Sequence, residues 1–112
     1  MTGDFQPRFS VALERRGEHA VVRPTGELER DTAPQLERAL SAVQAPGRRV
    51  VLDLRGLRVA DSSGLRTIVG ALDRADRLGA ELRVVPGDTG RRLFVAAGLA
   101  DRLASVELAE PR

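Results

Sequence analysis

The sequence predicts an α/β domain, a mixed β-sheet with amphipathic helices packed on it. Strand-like apolar runs and segments of helical periodicity follow one another in the order β-β-α-β-α-β-α. That order implies a sheet with both antiparallel and parallel pairs and helices laid against it. At 112 residues, without an internal repeat, a linker or a low-complexity stretch, the chain reads as a single domain over residues 1–112, with residues 1–7 a flexible leader.

Phe9 to Leu13 alternates apolar and small residues, which suits a half-buried strand. Arg16-Gly17-Glu18 is a turn, and His19 to Pro24, with Val21-Val22, is a second strand paired to the first as a hairpin. Thr25-Gly26-Glu27-Leu28 leaves that strand. Asp31 or Thr32 caps the next helix, Pro34 fits its first turn, and Ala33, Leu36, Ala39, Leu40 and Val43 recur at helical spacing. Ala45-Pro46-Gly47 ends it.

Arg48 to Leu54 has a continuous apolar centre, the pattern of a strand covered on both faces. Arg55 to Ala60 reads as a connector. Leu65, Ile68, Val69, Leu72, Ala75 and Leu78 form a helical stripe that stops at Gly79. Leu65, Ile68, Val69 and Leu72 are expected to pack their helix on the sheet, with Val51 and Leu52 among the core residues. Glu81 to Val85 is the next strand, and Asp88 or Thr89 caps a third helix containing Leu93, Phe94, Ala96 and Ala97. Gly98-Leu99 is a helix-ending glycine followed by an apolar clamp. Leu103 to Leu108 is compatible with either an edge strand or a final helix.

Composition excludes much. There is no Cys, so neither a disulfide framework nor a thiolate metal site exists. His19 is the only His, which rules out a multi-histidine metal site, and no cofactor is called for. No apolar run approaches the roughly 18 residues that span a bilayer, and the start lacks a basic region followed by an apolar one. The expectation is a soluble cytoplasmic protein without a membrane partner. The isoelectric point of 10.8 reflects missing buffer groups: all 18 basic residues are Arg, there is no Lys or Tyr, and the net charge is only +2. Arg and acidic residues are interspersed, and only Phe5, Phe9 and Phe94 are aromatic, so no nucleic-acid partner is expected.

The chemistry concentrates at Asp61-Ser62-Ser63-Gly64, between the apolar strand and the amphipathic helix. A strand-to-helix junction presents free N–H groups and the positive end of a helix dipole, a favourable place for a phosphoryl group. Asp and Ser are also good N-caps, which would account for one of these residues. Gly64 costs roughly 1 kcal/mol relative to Ala in a helix interior, and its missing side chain leaves the preceding hydroxyl open to a partner. Asp61 to Ser63 is expected to be solvent-accessible. Nucleophilic catalysis lacks support: Gly-x-Ser-x-Gly is absent, and the lone His lies on a strand. Gly-x-Gly-x-x-Gly and a Lys-bearing phosphate loop are missing too.

At these residues the chain resembles a STAS domain of the bacterial anti-sigma factor antagonist family. Val51-Leu52-Asp53-Leu54 followed by Asp61-Ser62-Ser63-Gly64-Leu65 is similar to that family's central strand, loop and switch helix. Gly26-Glu27-Leu28 followed by Thr32-Ala33 resembles a second landmark, and Gly79-Ala80, Leu82 to Val85 and Gly98-Leu99 a third. The resemblance spans about Phe9 to Leu108.

It implies partner switching in transcription regulation. The unphosphorylated antagonist binds an anti-sigma factor that is also a Ser/Thr kinase and so frees a sigma factor; the kinase phosphorylates the antagonist, and a metal-dependent Ser/Thr phosphatase reverses this. The Ser directly before Gly, here Ser63, is the implied phosphorylation site, with Asp61, Ser62, Gly64, Leu65, Arg66, Glu27 and Glu29 contacting the partner. ATP and Mg2+ belong to the kinase, so this chain is not an enzyme. Glu29 stands where the family commonly has Asp, and Arg66 is bulkier than the small residue of some members. The rivals are a STAS sensory or scaffold module that is never phosphorylated and a Ser-dependent enzyme using Ser63 as nucleophile.

Overall fold

The computed structural model describes residues 7–103. Eight elements follow in chain order: β1 (Phe9–Arg16), β2 (His19–Leu28), α1 (Ala33–Val43), β3 (Arg49–Asp53), β4 (Leu57–Ala60), α2 (Ser62–Leu78), β5 (Glu81–Val85) and α3 (Gly87–Ala96). A further helical turn covers residues 101–103. Residues 1–6 of the leader expected at 1–7, and the part of the Leu103 to Leu108 expectation beyond Leu103, lie outside the described residues.

The sheet is mixed. β1 and β2 form the expected antiparallel hairpin, with Phe9 opposite Gly26 and Arg16 opposite His19. On its other side β2 is shared: its first half pairs in parallel with β3 through His19 to Val22, and its second half with β4 through Gly26 to Leu28. β5 lies parallel to β3 along its whole length, Arg49 facing Glu81 and Asp53 facing Val85.

Two expectations are corrected here. Thr25 to Leu28 does not leave the strand but continues it, and the connector Arg55 to Ala60 contains β4. One cause covers both: the second half of β2 and the short Leu57–Ala60 segment satisfy each other's backbone groups, a pairing no local pattern announces. Gly26 makes this crossing possible. Its φ is +100°, and a Cβ there would meet the Arg8 carbonyl oxygen at 2.1 Å. The register slips by one residue between Gly26 and Glu27, as in a β-bulge.

β3 is also corrected. Burial alternates along it: Val50 and Leu52 are buried, Val51 is half-buried and Arg49 is exposed. The buried face carries Ala20, Val22, Leu28, Val50, Leu52 and Val84, clustered with Leu36, Leu40 and Val43 of α1, Ile68, Leu72 and Ala75 of α2, and Phe94 of α3. Leu65 and Val69 are half-buried at the margin. The opposite face is charged, with Arg23 bridging Glu14 at 2.9 Å and Asp53 at 3.4 Å. The apolar centre Val50-Val51-Leu52 therefore did not mean apolar burial on both sides.

The helix ends follow local chemistry in part. α2 stops at Gly79 in the left-handed conformation, and α3 is closed by Gly98 with the Leu99 N–H donating to the Phe94 carbonyl at 2.8 Å. α3 begins one residue before Asp88, after Pro86, and neither Asp88 nor Thr89 caps it. Thr32 holds the N-cap position of α1, but its side chain turns back to the preceding loop.

Candidate functional site

β2 and β4 end side by side, with Leu28 opposite Ala60, and the Asp61 N–H donates to the Leu28 carbonyl at 3.1 Å. The loop after Leu28 and the start of α2 are thereby brought to one end of the molecule. Glu27, Glu29 and Asp61 to Arg66, far apart in the chain, meet there.

α2 begins at Ser62, and Asp61 is its N-cap. Asp61 Oδ1 accepts from the Ser63 N–H at 2.9 Å and the Gly64 N–H at 3.2 Å. The capping function falls entirely on Asp61, because its extended backbone aims the carboxylate at the first free N–H groups. Ser62 is exposed and Ser63 half-buried, and the Ser63 hydroxyl makes no hydrogen bond among the described residues.

Gly64 has a different reason from the one its sequence suggested. It is buried, and a Cβ there would sit 2.6 Å from the side chain of Leu28, itself fully buried. Close packing of α2 on β2 requires a residue without a side chain. Leu65 is half-buried, and Arg66 is exposed one turn after Ser63.

Ser63 opens onto a groove of about 500 Å³ between α1 and α2, lined also by Arg30, Ala33, Pro34, Glu37, Arg66 and Thr67. Arg30 and the α1 residues were not among the sequence-derived site residues. No linear spacing links them to Ser63; only the adjacent ends of β2 and β4 do.

The acidic edge is organised by one cation. Arg8 Nη1 donates to Glu29 at 2.7 Å and to Glu27 at 3.3 Å, while Nη2 donates to Asp31. Asp31 first, and Glu27 after it, raise the Arg8 pKa above its ordinary value, and Arg8 holds the Asp31 carboxyl below its own. Thr32 Oγ1 accepts from the Glu29 N–H and donates to the Glu27 carbonyl, each at 2.8 Å, which fixes the loop carrying these carboxylates. Glu27 also has Arg58 at 3.8 Å.

His19 lies at the start of β2, and Ser63 lies beyond its end. Nine residue steps of strand separate the two ends, about 30 Å at ~3.3 Å per residue. His19 instead contacts Arg49 at 3.2 Å, beside a separate hollow of about 230 Å³ at the other end of the sheet. A Ser63–His19 catalytic pair is therefore geometrically closed. Among the described residues no group of three or more His, Cys, Asp or Glu is placed to hold a metal ion, and no helix is long and apolar enough to cross a membrane.

The family model of the STAS domain matches residues 10–110. Among solved structures, the chain is similar to an anti-sigma factor antagonist from Mycobacterium paratuberculosis, at 26% identity over 86% of this chain and 83% of that one, with a TM-score of 0.72. It is also similar to an antisigma-factor antagonist STAS domain from Rhodobacter sphaeroides, at 26% identity over 69% of this chain and 85% of that one, with a TM-score of 0.57. The fold is shared with the Bacillus cell fate determinant SpoIIAA in its phosphorylated form, at 19% identity over 90% of this chain and 100% of that one, with a TM-score of 0.66.

Proposed function

The chain belongs to the STAS domain family, and on that premise we propose that it is an anti-sigma factor antagonist, which binds an anti-sigma factor kinase when unphosphorylated and is released by phosphorylation of Ser63. The likeness at 26% identity to two antagonists supports the general role. The observation that carries the finer proposal is the division of labour at the start of α2. Asp61 caps the helix, which leaves the Ser63 hydroxyl without a structural task among the described residues.

A phosphate at Ser63 adds roughly −1.5 to −2 charges near neutral pH. At a helix N-terminus an anion is stabilised by about 0.3–1 kcal/mol, so the fold tolerates the modification. An interface built for a neutral hydroxyl does not. A loss of about 4 kcal/mol weakens binding roughly a thousandfold. Asp61, Ser62, Leu65 and Arg66 form the contact surface, with Glu27 and Glu29 at its edge and Gly64 buried beneath it. The kinase supplies ATP and Mg2+, a metal-dependent phosphatase removes the phosphate, and this chain acts by binding rather than by catalysis in the cytoplasm.

Intact mass before and after incubation with a candidate kinase, ATP and Mg2+ tests the proposal, with the phosphate mapped afterwards. One phosphoryl group on Ser63 is expected. Phosphate on Ser62 alone would remove Ser63 from the mechanism while keeping the antagonist role. No transfer from any kinase encoded beside this chain would favour a STAS sensory or scaffold module.

A further inference from the structure

Two arginines share the groove with Ser63, and both are exposed. Arg66 is three residues after Ser63 on α2, so the two lie on one helix face with Cβ atoms about 5–6 Å apart. Arg30 reaches the groove from the loop before α1. Neither makes an ion pair or a side-chain hydrogen bond among the described residues. The nearby carboxylates are committed elsewhere. Glu37 accepts from Arg74 at 2.6 Å and from Ser41 at 2.9 Å. Asp61 accepts from the Ser63 and Gly64 backbone N–H groups, and Glu29 from Arg8. Thr67, the remaining polar lining residue, is uncharged. The groove thus brings the Ser63 hydroxyl together with two guanidinium groups that make no pair among the described residues.

We propose that this groove is an internal receptor for the phosphoryl group of phosphorylated Ser63, with Arg30 and Arg66 donating to its oxygens from the two walls. The proposal rests on Ser63 being the modified residue and adds where its phosphate goes. Guanidinium presents paired N–H donors that match phosphate oxygens, and such charge-assisted bonds are the strong ones. Phosphorylation then changes the surface in two ways. It adds an anion, and it withdraws Arg30 and Arg66 from any partner they would otherwise meet. A carboxylate at position 63 carries less charge and fewer acceptors, so it recruits the arginines incompletely.

The test needs no kinase. Phosphoserine is installed at position 63 of the full chain during translation, and its second ionisation is followed by 31P NMR. The groups facing it are Arg30, Glu37 and Thr67 from the groove walls, Arg66 on its own helix, and Asp61 at the cap. A phosphoserine monoester ionises near pH 6; two guanidinium groups at a solvent-exposed site are expected to lower this by about 0.5–1 unit. Arg30→Gln with Arg66→Gln is expected to bring the value back to about 6. Arg38→Gln with Arg77→Gln removes the same charge from exposed positions outside the groove and is expected to leave the value depressed. Circular dichroism confirms that each pair folds. Equal values in all three proteins, or recovery with the Arg38/Arg77 pair, would overturn the proposal. Neither outcome bears on whether a kinase uses Ser63, and a kinase that ignores Ser63 leaves this titration unchanged.

Discussion

Gly64 lies against Leu28: a Cβ built on Gly64 would come within 2.6 Å of both Cγ and Cδ2 of Leu28. Leu28 is fully buried and cannot swing aside into solvent. The glycine that follows Ser63 is thus the residue that lets α2 dock on the sheet. Gly64→Ala raises helix propensity but overpacks this contact, and a net destabilisation of about 1–3 kcal/mol is expected. The cost should shrink in a Leu28→Ala background, because the two changes share one contact. Urea midpoints of the two single variants and the double variant check this; strict additivity would contradict the contact.

Ser63→Ala should fold with stability within about 0.5 kcal/mol of the parent, because the hydroxyl caps nothing. Asp61→Ala should cost about 0.5–2 kcal/mol, because it strips the acceptor from two N–H groups. Thermal or denaturant unfolding separates them. Equal losses in both would mean that Ser63 shares the capping.

Ser63→Ala should still bind the anti-sigma partner and should not accept phosphate. Ser63→Asp and Ser63→Glu should fold normally and bind more weakly, though less weakly than the phosphoprotein does, since a carboxylate carries less charge. Titration calorimetry against the partner reads the order. Acidic variants that bind as tightly as the parent would detach charge from the switch.

Asp53 is the one charged residue buried among those described, held by Arg55 at 3.0 Å and by Arg23. Hydrogen bonds from Arg55 keep its carboxyl below the ordinary value, against the opposing effect of burial. A depressed folded-state pKa contributes stability above the unfolded value near pH 3.9, and that stability is lost as pH falls through the folded value. Stability should therefore fall in acid below about pH 4, and Asp53→Asn should flatten that part of the profile while lowering stability at neutral pH. Denaturant midpoints from pH 6 down to pH 2 measure it.

Arg8, Arg16, Arg23, Arg49, Arg55, Arg58, Arg74 and Arg83 all pair with carboxylates. With a net charge of only +2, nonspecific duplex DNA binding should be weak at physiological salt despite the high isoelectric point. Fluorescence anisotropy showing sub-micromolar, steeply salt-dependent affinity would contradict this.

Legible in the chain alone were the local elements: the β1–β2 hairpin, α1 with Pro34 in its first turn, α2 stopped at Gly79, β5 from Glu81 to Val85, and the Asp61-Ser62-Ser63-Gly64 junction. Their signals are local, because capping, periodicity and left-handed glycine operate within a turn or two of the chain. The rest came from packing between distant segments. β4 is four residues long and exists because the far half of β2 offers it a ladder. β3 has an apolar centre, yet Val51 is only half-buried between buried Val50 and Leu52, because nothing in its composition says how many layers cover it. Which of Asp61, Ser62 and Ser63 caps α2 depended on backbone direction, and the meaning of Gly64 depended on Leu28. Arg30 stands beside Ser63 because two parallel strands end together. Contacts between residues distant in the chain are set by the packing of whole elements, and no short stretch of sequence encodes that.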